Sequence, residues 1–148
     1  MEQLVEREII CKTANETKNL AREVAKFLPA NSSIALIGGL GAGKTTFVRG
    51  LAEGFGMDAN VSSPSFNILN IYSGVVTLLH LDAYRLDGSP QATDGLMLED
   101  FLIPPYCLVA EWPELLHGFL DRCGLKIFFT VGSDFSRRII IRPAKCWN

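Results

Sequence analysis

Hydrophobic and polar residues alternate along the chain in short blocks, and the period of each block predicts a strand or a helix. Residues 4–11 alternate weakly, which predicts a first strand. Apolar residues then recur with a helical period between residues 20 and 28, and residues 13–16 have the spacing of a capping box that starts this helix. Residues 33–37 form a short apolar run that ends at Gly38, which is typical of a strand buried on both faces of a parallel sheet.

The second half of the chain contains two hairpin signals and another apolar run. Residues 67–72 and 75–81 flank the dipeptide Ser73-Gly74, which favours a hairpin. The pattern then predicts a buried strand over residues 106–110. A second hairpin follows, with strands over residues 125–131 and 137–141 on either side of Gly132-Ser133-Asp134.

Helices are predicted over residues 44–55 and 94–102, and Pro113 suits the first turn of another. Strand, turn and helix signals thus alternate, and two hairpins interrupt them. The sequence therefore predicts one α/β domain over residues 1–148. We expect a three-layer P-loop NTPase fold whose mixed sheet has a parallel centre and antiparallel hairpins.

Composition and charge narrow the function. The 148 residues carry a net charge of −2, and a protein that binds RNA tightly by itself usually has a basic surface. No apolar stretch approaches the ~20 residues of a membrane span, and the charged N-terminus does not resemble a signal peptide. The four cysteines form no C-x-x-C pair, and Cys107 is interpreted as a buried thiol. We therefore expect a cytoplasmic protein without a zinc site.

A glycine-rich segment directly follows the apolar run at residues 33–37. It reads Gly38-Gly39-Leu40-Gly41-Ala42-Gly43-Lys44-Thr45 and matches the Walker A pattern in full, with Thr46 after it. Backbone N–H groups surround a phosphate only where side chains do not block close approach, and glycine allows that. A helix starting at Lys44 directs its positive dipole end at the same anion. The segment predicts binding of a nucleoside triphosphate, with Lys44 on the β- and γ-phosphates and Thr45 on Mg²⁺.

Two carboxylates are predicted to end strands beside this loop. Asp82 lies in the segment His80-Leu81-Asp82-Ala83-Tyr84-Arg85, and Glu111 follows the apolar run at residues 107–110. The ligand crevice of an open α/β sheet lies at the carboxyl ends of its strands. We therefore predict that Asp82 and Glu111 bind Mg²⁺ or act on the attacking water, and are catalytic together with Lys44. His80 is interpreted as a structural residue, since residue type alone does not identify a general base.

Four motifs follow one another in order along most of the chain. They are Leu40-Gly41-Ala42-Gly43-Lys44-Thr45-Thr46, Ser63-Pro64-Ser65-Phe66, His80-x-Asp82-x-Tyr84-Arg85 and Glu111-Trp112. In order and spacing they resemble the TsaE family, also called YjeE, of bacterial ATPases in tRNA threonylcarbamoyladenosine biosynthesis. The pattern of that family is G-D-L-G-A-G-K-T-T, V-x-S-P-T-F, H-x-D-x-Y-R and E-W. Gly39 here replaces the aspartate of the first motif, and Ser65 replaces the threonine of S-P-T-F.

The resemblance implies a protein that binds ATP and Mg²⁺ and works with two partner proteins, TsaB and TsaD. Those partners form threonylcarbamoyl-adenylate and use it to modify adenosine 37 of tRNA. The family member supports their complex through its nucleotide cycle and does not catalyse the transfer. It therefore reaches tRNA through the complex and not by tight direct binding.

The positive charges of the chain predict weak hydrolysis by the isolated protein. An efficient P-loop hydrolase needs a cation on the γ-phosphate beyond the Walker A lysine. The internal candidates are Arg49, Arg85, Arg137 and Arg138, and none lies in a recognisable finger loop. We therefore expect a weak ATPase that its partners stimulate.

The sequence leaves two questions about nucleotide binding open, the role of one loop and the position of the adenine pocket. The segment Ser63-Pro64-Ser65 is either a sensor of the γ-phosphate or an ordinary Ser-Pro turn. The adenine pocket has candidates at residues 13–17 and at Ser136-Arg137.

Other functions of P-loop proteins also remain open. A small-molecule kinase usually has an arginine-containing lid, yet residues 86–110 contain no arginine. A GTPase usually has an N-K-x-D segment, which the chain lacks. A nucleotide-dependent scaffold with negligible turnover differs from an ATPase only in its rate.

Overall fold

The computed structural model describes residues 5–58, 60–62 and 67–144. Within these residues it contains seven strands, four α-helices and two short 3₁₀ helices. In chain order they are β1 Arg7–Cys11, α1 Ala14–Phe27, β2 Ser32–Ile37, α2 Lys44–Gly54, β3 Leu69–Tyr72, β4 Thr77–Asp82, α3 Pro90–Asp94, a 3₁₀ helix Leu98–Asp100, β5 Tyr106–Glu111, a 3₁₀ helix Pro113–Leu115, α4 Phe119–Arg122, β6 Leu125–Val131 and β7 Arg137–Pro143.

All seven strands belong to one mixed sheet, in the order β1-β7-β6-β2-β5-β4-β3. The four central strands β6, β2, β5 and β4 are parallel to one another. The hairpins β3–β4 and β6–β7 add antiparallel pairs at the two sides, and β1 pairs antiparallel with β7 at the far edge. The predicted fold class, with its parallel centre and antiparallel hairpins, is confirmed.

Helices cover both faces of the sheet, because alternate residues of the central strands point to opposite sides. On one face, Ile34 and Leu36 of β2 pack in a core with residues of α1 and α2 such as Val24 and Phe47. On the other face, Ala35 packs with the remaining core, in which α4 and the 3₁₀ segments take part. The result is three layers, and the first face is the one that α2 covers.

The helices α1 and α2 approach each other closely at Gly50. A β-carbon added there would lie 2.5 Å from the carbonyl oxygen of Lys18 and 2.6 Å from Cβ of Ala21. Only a residue without a side chain permits this contact. The position of α2 on the sheet, and hence of the loop before it, therefore depends on a small residue in the middle of the helix.

The start of α1 follows the predicted capping box. The Oγ1 atom of Thr13 accepts a hydrogen bond of 3.1 Å from the N–H of Glu16. The carboxylate of Glu16 accepts one of 2.5 Å from the N–H of Lys12. The N–H of Glu16, one of the four free donors at this helix end, is thus satisfied, and the second hydrogen bond holds the residue before the cap against the helix.

The prediction of a helix over residues 94–102 is wrong. The chain forms α3 earlier and then one 3₁₀ turn, because Ser89 caps α3 through the N–H of Ala92 at 3.1 Å and Pro90 occupies its first turn. Gly95 follows α3, and Met97 has a left-handed backbone with φ of 52°, which interrupts any helical path.

The helix predicted to start at Pro113 is shorter than expected. It is a single 3₁₀ turn, because Leu116 after it is extended, with φ of −96° and ψ of 114°. The helix of this region is α4, which the sequence pattern did not predict.

Cys107 is the buried thiol that the sequence predicts. It lies in β5 and is 1% exposed, and burial raises its pKa to about 12. In the part of the chain described, no helix combines the length and the apolar character needed to cross a membrane.

Candidate functional site

The glycine-rich segment connects β2 to α2 at the carboxyl end of the sheet. Gly41 and Gly43 have positive φ values of 73° and 102°, a region that residues with side chains rarely adopt. Gly43 caps α2, so the free N–H groups at the start of this helix face the loop. The loop thereby has the turn and the helix start that a phosphate-binding loop requires.

The position of Gly39 bears on the departure from the family pattern. A β-carbon built at Gly39 has no neighbour within 4 Å, and the residue is exposed. An aspartate side chain would therefore fit here without a clash, and glycine at this position is not a packing requirement.

Asp82 and Glu111 lie side by side at the ends of two parallel strands. They are register partners in β4 and β5, and Leu36 of β2 pairs with Glu111 on the other side. Leu78 of β4 and Val109 of β5 pack in the core on the α2 side of the sheet. Side chains alternate between the two faces of a strand, so His80, Asp82 and Glu111 occupy positions on that same side. The sheet therefore brings the two predicted carboxylates together next to the first turn of α2.

Glu111 contacts two partners through its two oxygens. Its Oε2 lies 2.6 Å from Nε2 of His80, and its Oε1 lies 3.9 Å from Nζ of Lys44. All three side chains are buried, and His80 is fully so. A carboxylate oxygen only accepts, so Nε2 of His80 carries the hydrogen and donates. His80 thereby fixes the orientation of the Glu111 carboxylate, a role that the motif alone did not reveal.

The other ring nitrogen of His80 is also buried. Among the described residues, no donor or acceptor reaches its Nδ1 atom. Within the described part of the chain, the imidazole ring of His80 therefore makes one hydrogen bond, the one to Glu111. The interpretation of His80 as structural agrees with its burial, but its one partner is a predicted catalytic residue.

Lys44 is held beside Glu111 and Trp112. Its Nζ donates a hydrogen bond of 2.8 Å to the carbonyl of Gly38 and lies 4.6 Å from the centre of the Trp112 ring. Trp112 has a left-handed backbone with φ of 54°, uncommon for a bulky residue, and its ring packs on Tyr84 with centres 5.3 Å apart. No motif along the chain indicates that this tryptophan contacts the Walker A lysine.

A cavity of about 350 Å³ lies between the loop and the carboxylates. The predicted residues that line it are Leu40, Gly41, Ala42, Gly43, Lys44, Thr45, Thr46, Asp82 and Glu111, and Trp112 and Arg137 complete its wall. It contains the oxygen ligands that Mg²⁺ prefers, a threonine hydroxyl and two carboxylates.

A second cavity of about 200 Å³ adjoins the first. It lies between the start of α1 and the loop of the β6–β7 hairpin, and Gly43, Thr46 and Arg137 line both cavities. Both segments that the sequence offers for an adenine pocket contribute to it, the first through Thr13, Ala14 and Thr17 and the second through Arg137. Its remaining wall includes the exposed side chain of Phe135.

The four candidate arginines have different surroundings. Arg49 donates from Nε to the carbonyl of Val61 at 2.9 Å, and Arg138 pairs with Glu8 at 2.7 Å. Arg85 is exposed, and Arg137 is the one of the four that lines the cavities just described. The segment Ser63-Pro64-Ser65, the candidate sensor or turn, lies outside the described residues.

Comparisons with known proteins show which family the chain is similar to. A model of the family described as "Threonylcarbamoyl adenosine biosynthesis protein TsaE" matches residues 11–139. The tRNA threonylcarbamoyladenosine biosynthesis protein TsaE of Bacillus subtilis (strain 168) is 36% identical over 125 residues, 84% of this chain and 77% of that protein. The protein of the same name from Treponema pallidum (strain Nichols) is 33% identical over 132 residues, 89% of this chain and 97% of that protein.

A solved structure is similar over nearly the whole chain. The crystal structure of Bacillus subtilis YdiB superposes with a TM-score of 0.74 at 29% sequence identity, covering 99% of this chain and 92% of that one. The family model spans the loop, both carboxylates and the cavity between them. On these matches, the chain belongs to the TsaE family of threonylcarbamoyladenosine biosynthesis proteins.

Proposed function

We propose that this chain binds ATP with Mg²⁺ in the larger cavity, hydrolyses it slowly, and thereby supports TsaB and TsaD in modifying adenosine 37 of tRNA. The observation that carries the proposal is the meeting of the Walker A loop with two register-paired carboxylates in one cavity of about 350 Å³. Phosphates need donors and cations, and the hydrolysis of ATP needs a metal and an oriented water.

Lys44 and the loop account for phosphate binding in this proposal. The N–H groups at the start of α2 and the ammonium of Lys44 supply positive charge on one side of the cavity. Lys44 is 5% exposed, and its contacts with Gly38 and Trp112 restrict its side chain. A cation fixed in this way binds an anion without much further loss of side-chain entropy.

The same cavity also suits Mg²⁺. Thr45, Asp82 and Glu111 are hard oxygen ligands, and Mg²⁺ is usually held by one or two carboxylates together with substrate phosphates. When bound, the ion would neutralise charge on the β- and γ-phosphates. Glu111 is placed to act on the metal or on a water molecule, while His80 keeps its carboxylate oriented.

The smaller cavity suits the nucleobase. It adjoins the phosphate site, and its wall includes an aromatic side chain, Phe135, and polar groups of Thr13 and Thr17. An aromatic ring and a few polar groups are what a base-binding pocket commonly offers.

Exposed apolar residues around the site support the role of partner proteins. Leu40 on the loop is 85% exposed and Phe135 is 81% exposed, and Tyr84 beside Trp112 is 61% exposed. Large exposed apolar side chains grouped together are typical of interaction surfaces. A partner that covers them would also exclude water from the phosphates.

The proposal is tested by phosphate release from purified protein with ATP and Mg²⁺, alone and then with TsaB, TsaD and tRNA. We expect slow release by the chain alone and faster release with the partners. A matched series with GTP tests the base. Fast release that the partners do not change would contradict the partner dependence, transfer of phosphate to a small molecule would indicate a kinase, and binding without release under every condition would indicate a scaffold.

A further inference from the structure

One continuous part of the sequence, residues 86–121, carries negative charge only and is called the acidic segment below. It contains seven carboxylates and no lysine or arginine, so all 14 basic residues of the chain lie outside it. The seven are Asp87, Asp94, Glu99, Asp100, Glu111, Glu114 and Asp121. The whole chain has a net charge of only −2, so charge is strongly separated within a nearly neutral protein.

The fold leaves most of this negative charge uncompensated. Among the described residues, Glu111 in the nucleotide cavity is the one carboxylate of the acidic segment that forms an ion pair, and the other six are exposed. By contrast, Glu8, Glu23 and Glu53 outside the segment each pair with an arginine or a lysine. The acidic segment therefore repels the phosphates of a nucleic acid and attracts a cationic partner.

The acidic segment also forms most of a third cavity, of about 300 Å³. Part of its wall is apolar and consists of Leu98, Leu102, Leu108 and Phe119. Two exposed carboxylates, those of Asp94 and Glu99, line it as well. This volume is at the lower end of the range for ligand pockets, so it suits single side chains better than a large cofactor.

Apolar side chains continue from this cavity onto the surface. Met97, Phe101 and Ile103 are sequence neighbours of the cavity residues Leu98 and Leu102, and they are 59%, 39% and 67% exposed. Large exposed apolar side chains grouped in this way are typical of interaction surfaces. An apolar centre with a charged rim is also the usual composition of a protein–protein interface.

The third cavity lies away from the nucleotide. Ser33 and Leu108, which line it, are register partners near the starts of β2 and β5, whereas the phosphate loop follows the end of β2. Leu108 and Phe119 belong to the core on the face of the sheet opposite to α1 and α2. The third cavity shares no lining residue with the two nucleotide cavities, so a partner bound there would leave them open.

We propose that the third cavity and its exposed apolar neighbours dock a segment of a protein partner in which apolar side chains are flanked by lysine or arginine. The apolar side chains fill the cavity, and the flanking cations meet Asp94 and Glu99. Arg122 and His117 also line the cavity, but Nη2 of Arg122 donates to the carbonyl of His117 at 3.2 Å, and the two carboxylates outnumber this cation.

A different protein fits this surface better than a second copy of the chain. Several of the basic side chains that a second copy could offer are already in ion pairs with its own carboxylates. A partner with free lysines or arginines does not have to break such pairs.

The test measures the affinity of the purified full chain for three labelled synthetic peptides by fluorescence anisotropy, at low and at high salt. The first peptide has two leucines flanked by arginines, the second has glutamates in place of the arginines, and the third has serines in place of the leucines. We expect the first to bind about 10- to 100-fold more tightly than the third, the effect of burying an apolar side chain, and the second not to bind. Binding of the first peptide should weaken as salt is raised, because salt screens exposed charges.

Matched substitutions on the two faces of the sheet test whether the peptide binds at this surface. Glu99→Lys and Phe101→Ser change the acidic segment, and Glu23→Lys and Phe27→Ser make the same changes on α1, where Phe27 is 39% exposed like Phe101. We expect each change in the acidic segment to weaken binding of the first peptide by about 3- to 10-fold, and the two changes on α1 to leave it unchanged. All four variants should bind ATP like wild type. Thermal melts show whether each variant folds, and if Phe101→Ser does not, Glu99→Lys and Glu23→Lys decide the question.

Three outcomes would overturn the inference. Equal binding of the three peptides, or equal losses in the two pairs of variants, would show that the acidic segment does not select a basic apolar partner. Single-stranded RNA that displaces the first peptide would show that the charge argument is wrong. Self-association of wild type that Glu99→Lys abolishes, without peptide binding, would make a second copy of the chain the occupant of this surface.

Discussion

The hydrogen bond between His80 and Glu111 should contribute measurably to stability and to turnover. Both side chains are buried, the histidine completely, and the donor and acceptor are 2.6 Å apart. A hydrogen bond to a charged group in such a place contributes about 1.5–3 kcal/mol. Removing the donor leaves Oε2 of Glu111 without this partner, while Lys44 stays 3.9 Å from Oε1.

Two substitutions of similar volume isolate this contribution. His80→Gln keeps an N–H donor at the distance of Nε2 from the backbone, whereas His80→Leu fills the same space without a donor. We expect the leucine variant to have a free energy of unfolding about 1.5–3 kcal/mol below that of the glutamine variant. Urea unfolding followed by circular dichroism measures the difference, provided that the transition is two-state.

Activity should follow the same order. If His80 fixes the carboxylate of Glu111, the turnover of the leucine variant should be lower than that of wild type by up to roughly 10²-fold, the cost of a misplaced catalytic group. Its affinity for ATP should change little. The glutamine variant should recover part of the rate. Equal stability and equal turnover of the two variants would refute the reasoning, because the donor is the main property in which they differ.

Three further substitutions test the site and its support. Lys44→Ala should weaken ATP binding about 10- to 100-fold in isothermal titration and abolish phosphate release, because the loop loses its charge-assisted donor; unchanged affinity would contradict its role. Glu111→Gln should keep ATP affinity but lower phosphate release by about 10²–10⁴-fold, as expected for loss of a group that acts on water or metal; loss of binding in a folded variant would show that the assignment is wrong. Gly50→Ala should lower the free energy of unfolding by about 1–3 kcal/mol despite the better helix propensity of alanine, since its β-carbon would lie within 2.6 Å of atoms in α1. If the variant is as stable as wild type in urea, α1 and α2 can move apart to accommodate the β-carbon without a loss in the free energy of unfolding, which would contradict the packing argument.

The sequence predicted best where local pattern and buried position agree. The central strands β2 and β5 appear as continuous apolar runs because both of their faces are covered, and the glycine-rich loop has a spacing that few other structures require. The prediction failed at residues 94–102, where apolar residues suggested a helix but the cap at Ser89 and the left-handed Met97 determine the path. Such backbone reversals depend on contacts with the rest of the fold, and periodicity does not report them.

The candidate site divides in the same way. The Walker A residues and both carboxylates were predicted from motifs, and the structure places residues 40–46 and both carboxylates around one cavity, whereas Gly38 and Gly39 do not line it. The contact of His80 with Glu111 needed the register of β4 and β5, which no spacing along the chain encodes. The position of Arg137 needed the pairing of β7 with β1, two strands separated by most of the sequence.

The pairing of β1 with β7 also has a consequence for synthesis. The ribosome makes β1 before its partner strand β7, which begins at Arg137, on the order of 10 s later at about 5–20 residues per second. Until then β1 presents an open edge, and the smaller cavity lacks the wall that Phe135 and Arg137 provide. A nucleotide that needs both cavities therefore has no complete site on the nascent chain, and ligand binding begins to stabilise the fold only after the last strand has been translated.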